Sequence, residues 1–185
     1  ASSNGETTFP LIINKNQIGN KASFRDGTFE SGHPYTAFDI HLAESAPETP
    51  VVAFANGVVT KIDDDGACNG GLQSIQIFDD KKDEDASNDT TVFYTHLKGG
   101  SVLVSEDDEV TMGTPIASIA TAAEIKALNL EDGCSIAHLH IDQVRGDVRP
   151  SCSRSSCSAE NSAKFIDIGP DLFSTYEMLP EGNDD

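Results

Sequence analysis

A series of short runs rich in β-branched and aromatic residues, separated by Gly, Asp and Asn, limits this chain to an architecture made mainly of strands. Val51 to Ile62, Leu72 to Phe78 and Thr90 to Leu97 read this way, and Val102 to Val104, Pro115 to Ala120 and Ala137 to Val144 add to them. Branched side chains suit a pleated surface, and the polar breakers turn it back on itself. The FDDKKDEDASNDTT stretch between the second and third runs then reads as a long polar hairpin loop. Ala122 to Leu130, AAEIKALNL, is the one segment that joins helix-forming residues to apolar side chains at helical spacing. Gln17 to Ser31 reads as irregular structure bordering a site. The predicted fold is mainly β: a twisted antiparallel sheet with a groove, loops and one short helix.

On strands, residues two apart project from one face, so the placement of histidine carries information. Four of the five histidines fall in three short stretches: His33 with Asp39, His96 in YTHL, and His138 with His140 in AHLH. Neutral imidazole is the commonest zinc ligand and the usual general base near neutral pH. A catalytic zinc takes three protein ligands and keeps a position open, so these five groups exceed its needs by two. The surplus suits a division in which some side chains hold metal and others move protons. Such a set fits hydrolysis of an amide or ester, with zinc polarising the carbonyl and an imidazole taking the proton of the attacking water. A lone histidine on a strand is more often a hydrogen-bonded structural residue, and an H-x-H pair by itself decides little.

The succession GHPYTAFDI, PVVAFANGVVTKI, VFYTHL, EVTMGTPIASIA and AHLHID, from about Gly32 to Asp142, resembles the M23 family of zinc metallopeptidases, the lysostaphin-like peptidoglycan endopeptidases. The resemblance implies an active secreted endopeptidase with one zinc per chain. His33, Asp39 and His140 would hold the metal, and His96 and His138 would be the catalytic pair that handles the proton and the charge on the attacked oxygen. It implies as substrate the cross-bridge or stem peptides of peptidoglycan, or Gly-rich proteins such as elastin. In the family's usual first motif three residues separate His from Asp; here five do, Pro34 to Phe38. The family often places a tyrosine just before the first ligand, and Tyr35, inside the motif, is the nearest counterpart. His41 is assigned a structural or groove-lining role. Two other readings are a zinc-free regulator of wall hydrolases and a zinc-dependent wall amidase.

Composition bounds the rest. The 185 residues suffice for a single domain, with a core at about 32–142, a polar N-terminal leader and a C-terminal extension whose FIDIGPDLF resembles the closing segment of such domains. No apolar run approaches the ~20 residues that span a membrane. The start at Ala1 fits a mature form whose leader was removed. Cys68, Cys134, Cys152 and Cys157 read as two disulfides of an exported protein. Cys152 with Cys157 would close a small loop and leave Cys68 with Cys134, although three pairings remain open. Extracellular or periplasmic placement and a monomer are expected. Twelve basic against 31 acidic residues give a net charge of −19, which disfavours nucleic acid and anionic membranes as partners. Work in a saline medium is expected, where that charge is screened. The acidic runs IDDDG, DDKKDEDASND and SEDDEV read as solvated hairpin turns, since none has the spacing of a calcium loop.

Overall fold

The computed structural model describes residues 6–19, 33–66, 68, 70–131, 134–153 and 155–183; most of the irregular stretch expected between Gln17 and Ser31 lies outside them. The elements run β1 (Phe38–His41), β2 (Thr49–Val52), β3 (Gly57–Asp64), β4 (Leu72–Asp79), β5 (Thr90–Lys98), β6 (Glu109–Val110), β7 (Pro115–Ile119), α1 (Ala122–Ala127), β8 (His138–Arg145), α2 (Ala159–Ser162), β9 (Phe165–Ile166) and α3 (Gly169–Glu177). The main sheet has seven strands in the order β1-β8-β5-β4-β3-β6, with β9 also on β8, while β2 and β7 form a separate ribbon. All these pairings are antiparallel. No described helix is long and apolar enough to cross a membrane.

The mainly β class is as the sequence predicts, with differences that have local causes. Val51 to Ile62 is not one strand: the chain leaves the ribbon after Val52 and enters the main sheet at Gly57. Glycine is required there because a Cβ at position 57 would meet Ile77 Cγ2 and Phe78 O at 2.6 Å. Val102 to Val104 forms no strand; Leu103 is largely exposed, and its amide reaches Ile116 O at 2.9 Å. The predicted helix stops at Ala127, short of Leu130, because Asn129 turns left-handed at φ 51°. Its start is fixed by a reciprocal cap, Thr121 Oγ1 accepting from Glu124 N at 3.2 Å and Glu124 Oε2 from Thr121 N at 2.9 Å. The C-terminal extension adds two further helices, and Pro170 in the first turn of α3 suits a helix start.

Alternation along the central strands divides the sheet into two faces. Phe38 and Ile40 on β1, Leu139 and Ile141 on β8, and Val92 and Tyr94 on β5 are all buried on one face. They join Ile75, Ile77, the ribbon residues Val51, Ile116 and Ile119, and Leu172 and Tyr176 of α3 in one hydrophobic cluster. The Tyr94 hydroxyl accepts from Phe54 N at 2.8 Å, so the largest polar group of this core is satisfied. The opposite face carries Asp39, His41, His138, His140 and Asp142. It is closed at one end by a small cluster of Tyr35, Ala37, Val144 and Phe165.

Candidate metal centre

The register of β1 on β8 sets Asp39 opposite His140 and His41 opposite His138. Side chains on directly opposed positions meet, so this register alone brings a carboxylate to an imidazole from residues 101 apart in sequence. Asp39 Oδ1 lies 3.0 Å from His140 Nδ1, and Asp39 Oδ2 lies 3.3 Å from Nε2 of His33, which comes from the segment before β1. One donor atom from each of His33, Asp39 and His140 falls within 4.8 Å of the others. The five-residue spacing therefore delivers His33 to the site. The two imidazoles hold the Asp39 carboxyl well below the usual carboxylate range, outweighing the opposing effect of burial.

His140 has carboxylates at both nitrogens, since its Nε2 lies 2.9 Å from Asp142 Oδ2. A neutral imidazole has one proton and can satisfy only one of these neighbours. The other must be met by a second proton or a cation. Without a metal ion the ring takes the second proton: burial opposes the charge, but Asp142 and Asp39 overcome it and raise His140 to about 9. Two imidazole nitrogens and one carboxylate around a point are also the set that a divalent ion such as zinc accepts, and an outer carboxylate on the far nitrogen of a ligating histidine is the usual support for it. The donor set fits a metal.

Asp142 is itself gripped. Arg149 donates to it from Nε at 3.0 Å and from Nη2 at 2.6 Å, in a pair whose side chains are 12% and 0% exposed. The guanidinium carbon sits 4.1 Å over the Phe93 ring and 5.6 Å over that of Phe165. Burial raises the Asp142 carboxyl, but His140 and Arg149 reverse that and bring it below its ordinary value. The Tyr35 ring packs 4.4 Å from Phe165 and 5.2 Å from His33. Its hydroxyl accepts from Arg149 Nη2 at 3.4 Å, which ties Tyr35 to the Arg149–Asp142 pair.

His96 and His138 lie beside this cluster with ring centroids 4.4 Å apart. His138 Nδ1 donates to Ile136 O at 2.7 Å; a carbonyl only accepts, so Nδ1 carries the proton and Nε2 keeps its lone pair. Burial, and after it the neighbouring His96, lowers His138 to about 3, so the ring is neutral. His96 reaches the same face by another route. The β4–β5 register shifts between Gln73 and Ile75, which face Leu97 and Tyr94, leaving Thr95 and His96 opposite Ser74 alone. This bulge, with His96 at φ 63°, re-aims the imidazole where simple alternation would not. His96 Nδ1 lies 2.6 Å from Asp65 Oδ2. His41 stacks edge-on to His138 at 5.2 Å.

His33, Asp39, His140, His96 and His138 line a groove of about 330 Å³, with Phe93, Thr95 and Ser74 on its floor strands and Cys152 and Ser153 at its margin; His41 packs on His138 and does not line it. Of the three pairings the sequence leaves open, the disulfides are Cys68–Cys134 and Cys152–Cys157, and Cys152 and Ser153 place the Ser/Cys-rich loop in the groove wall. Cys68, Cys134 and His96 also cluster, but the sulfurs are bonded to one another.

Three residues beyond the sequence-predicted set belong to the site: Asp142, Arg149 and Asp65. Asp142 was readable as the next member of an H-x-H-x-D alternation on one strand face. Arg149 has no such signal. Asp65 corrects an expectation, because it lies in IDDDG, which reads as a solvated turn, yet it is 4% exposed. Its hydrogen bonds to His96 and to Cys68 N account for the burial.

Among solved structures the chain is similar to a putative glycyl-glycine endopeptidase from Ruminococcus gnavus, at 18% identity and a TM-score of 0.53, with 96% of this chain and 62% of that one covered. Lysostaphin from Staphylococcus simulans is similar at 18% identity and a TM-score of 0.49, over 80% of this chain and 49% of that one. A zinc-containing peptidase from Vibrio cholerae has 19% identity and a TM-score of 0.36, over 57% and 25%. The chain thus spans about half the length of the lysostaphin structure. No protein-family model and no curated protein matches the sequence. The fold is that of the lysostaphin-like, M23-type peptidases.

Proposed function

We propose that this chain is a zinc-dependent endopeptidase that hydrolyses peptide bonds in peptidoglycan cross-bridges or stem peptides, and in Gly-rich proteins such as elastin. One observation carries the reading. Three metal-ligand side chains converge beside two imidazoles, His96 and His138, whose far nitrogens are both anchored by acceptors, inside one groove. A structural cluster of histidines has no need of that split between ligands and bases. The likeness to a putative glycyl-glycine endopeptidase supports a substrate whose small side chains let its backbone lie deep in a narrow groove.

His33 Nε2, Asp39 and His140 Nδ1 would hold the zinc, and Asp142, set by Arg149, would orient His140. Bound zinc would supply Lewis acidity, polarising the scissile carbonyl and acidifying the attacking water. His138 and His96 act from the side. A neutral imidazole with its lone pair on Nε2 takes the proton of the water as it attacks, and the imidazolium so formed returns it to the leaving amine. The second imidazole faces the same point; with its own proton on Nδ1, it donates to the charge that builds on the carbonyl oxygen only once its Nε2 has taken up a proton. The enzyme works as a monomeric domain outside the cytoplasm, where both disulfides persist.

The test is a digest of purified cell walls and of elastin by the zinc-loaded protein, with products read by mass spectrometry. New peptide termini within cross-bridges or stems, lost on chelation and restored by zinc, support an endopeptidase. Cleavage between sugar and peptide would make it an amidase. Protein that binds about one zinc and cuts neither material would refute the proposal.

A further inference from the structure

We propose that Asp65 is a positioning residue for His96, locking its imidazole in the tautomer that leaves Nε2 unprotonated toward the groove. The inference deepens the reading of His96 as part of the proton machinery and rests on it.

Three features converge on this role. Asp65 Oδ2 is 2.6 Å from His96 Nδ1, with the two side chains 3% and 12% exposed. A carboxylate only accepts, so this contact requires the proton on Nδ1, and a neutral ring then has its lone pair on Nε2. Asp65 is in turn held, since its Oδ1 accepts from Cys68 N at 3.2 Å. Cys68 is bonded to Cys134, four residues before His138, so one covalent link joins the Asp65 loop to the segment that leads into the strand carrying the other base. Cys68 Sγ also lies 3.2 Å from His96 Nδ1, flanking that nitrogen a second time.

The third feature is the bulge. A side chain on a regular strand is aimed by the pleat, whereas His96 sits at φ 63° in an interruption of the ladder. Its direction depends on what holds the ring. The two candidate bases thus have Nδ1 anchors of different kinds, a backbone carbonyl for His138 and a carboxylate for His96. An acidic side chain in a loop otherwise rich in exposed acids would be buried at a cost unless it had such a partner.

Zinc-loaded protein labelled with 15N-histidine tests the idea through long-range 1H–15N spectra, which report the protonated ring nitrogen, with His96 assigned by its loss in His96→Gln. Wild-type His96 is expected to carry its proton on Nδ1. Asp65→Asn places an amide where one oxygen stood, and its NH2 group can donate to Nδ1. We expect the proton to move to Nε2, kcat on an oligoglycine peptide to fall at least tenfold with KM within twofold, and zinc content to stay near one per chain. Asp65→Glu is expected to restore the Nδ1 tautomer and part of kcat. A wild-type ring protonated on Nε2 overturns the proposal, as does an Asp65→Asn protein that loses kcat with its tautomer unchanged, or keeps kcat in full. The wild-type spectrum needs no substitution, so a variant that fails to fold does not shield the idea. If wild-type protein cuts no peptide, the enzymatic reading fails while the spectrum still decides what Asp65 does.

Discussion

Replacing Asp142 by Asn tests whether the metal site depends on its buried support. Asp142 accepts from His140 Nε2 and from two nitrogens of Arg149, and no part of its side chain reaches solvent. Asn keeps the shape but has one acceptor oxygen. If that oxygen meets His140, the amide NH2 faces the guanidinium, donor against donor, and an unpaired positive charge is left buried. Breaking a buried pair in this way costs about 3–5 kcal/mol. In a chain of this size, at roughly 2–4 °C per kcal/mol, the metal-free protein should melt on the order of 10 °C lower. The effect on zinc is separate. Loss of the carboxylate behind a ligating histidine weakens metal binding typically ~10–100-fold, or about 1.4–2.8 kcal/mol. Competition with a calibrated chelator measures the affinity, and calorimetry the stability. In the double variant Asp142→Asn with Arg149→Met the stranded charge is gone, so much of the stability should return while zinc affinity stays low. Wild-type zinc affinity in a folded Asp142→Asn protein would refute the reasoning, because His140 would then need no carboxylate on Nε2.

Three further outcomes are expected. His138→Ala should abolish peptide cleavage with zinc still bound, whereas His140→Ala should lose zinc; equal zinc loss in both would show that the division of roles is wrong. The metal-free protein should be most stable near pH 6.5, by a few kcal/mol relative to either flank. His138, lowered to about 3, contributes stability that is present above its ordinary 6.5 and lost as pH falls toward 3. His140, raised to about 9, contributes stability that is present below 6.5 and lost as pH rises through 9. Zinc replaces the second proton on His140, so the alkaline decline should vanish in the loaded protein, and melting curves of both forms from pH 5 to 10 check this. Finally, with a net charge of −19, lysis of anionic cell walls should increase from low salt toward seawater strength as repulsion is screened. A steady fall in lysis over that range would rule it out.

Strand runs were legible because the two-residue alternation of apolar and polar side chains shows in the sequence: Leu139 and Ile141 alternate with His138 and His140, so one short segment shows both the core and the site. Asp39 was legible as a partner of His33 and His140, but the strand holding it was not, since β1 is four residues long and its pairing with β8 is decided by contacts remote in sequence. His96 was found for an incomplete reason. Alternation along a regular strand does not bring it to the groove; the bulge at Thr95 and His96 does, and nothing in YTHL announces a bulge. Asp65 and Arg149 were missed because charge is normally a surface signal, and only the fold shows which charges have found buried partners.

The opposition of Asp39 to His140 on adjacent strands has a consequence for quality control in the cell. A slip of one residue between β1 and β8 would turn Asp39 and His41 into the apolar interior and push Phe38 and Ile40 out to water. A one-residue slip can therefore not lose the groove face and keep a sound core. Chains that fold wrongly at this rung expose greasy, half-unfolded surface, which chaperones and housekeeping proteases recognise. The cell is thereby spared a stock of well-folded but inert copies.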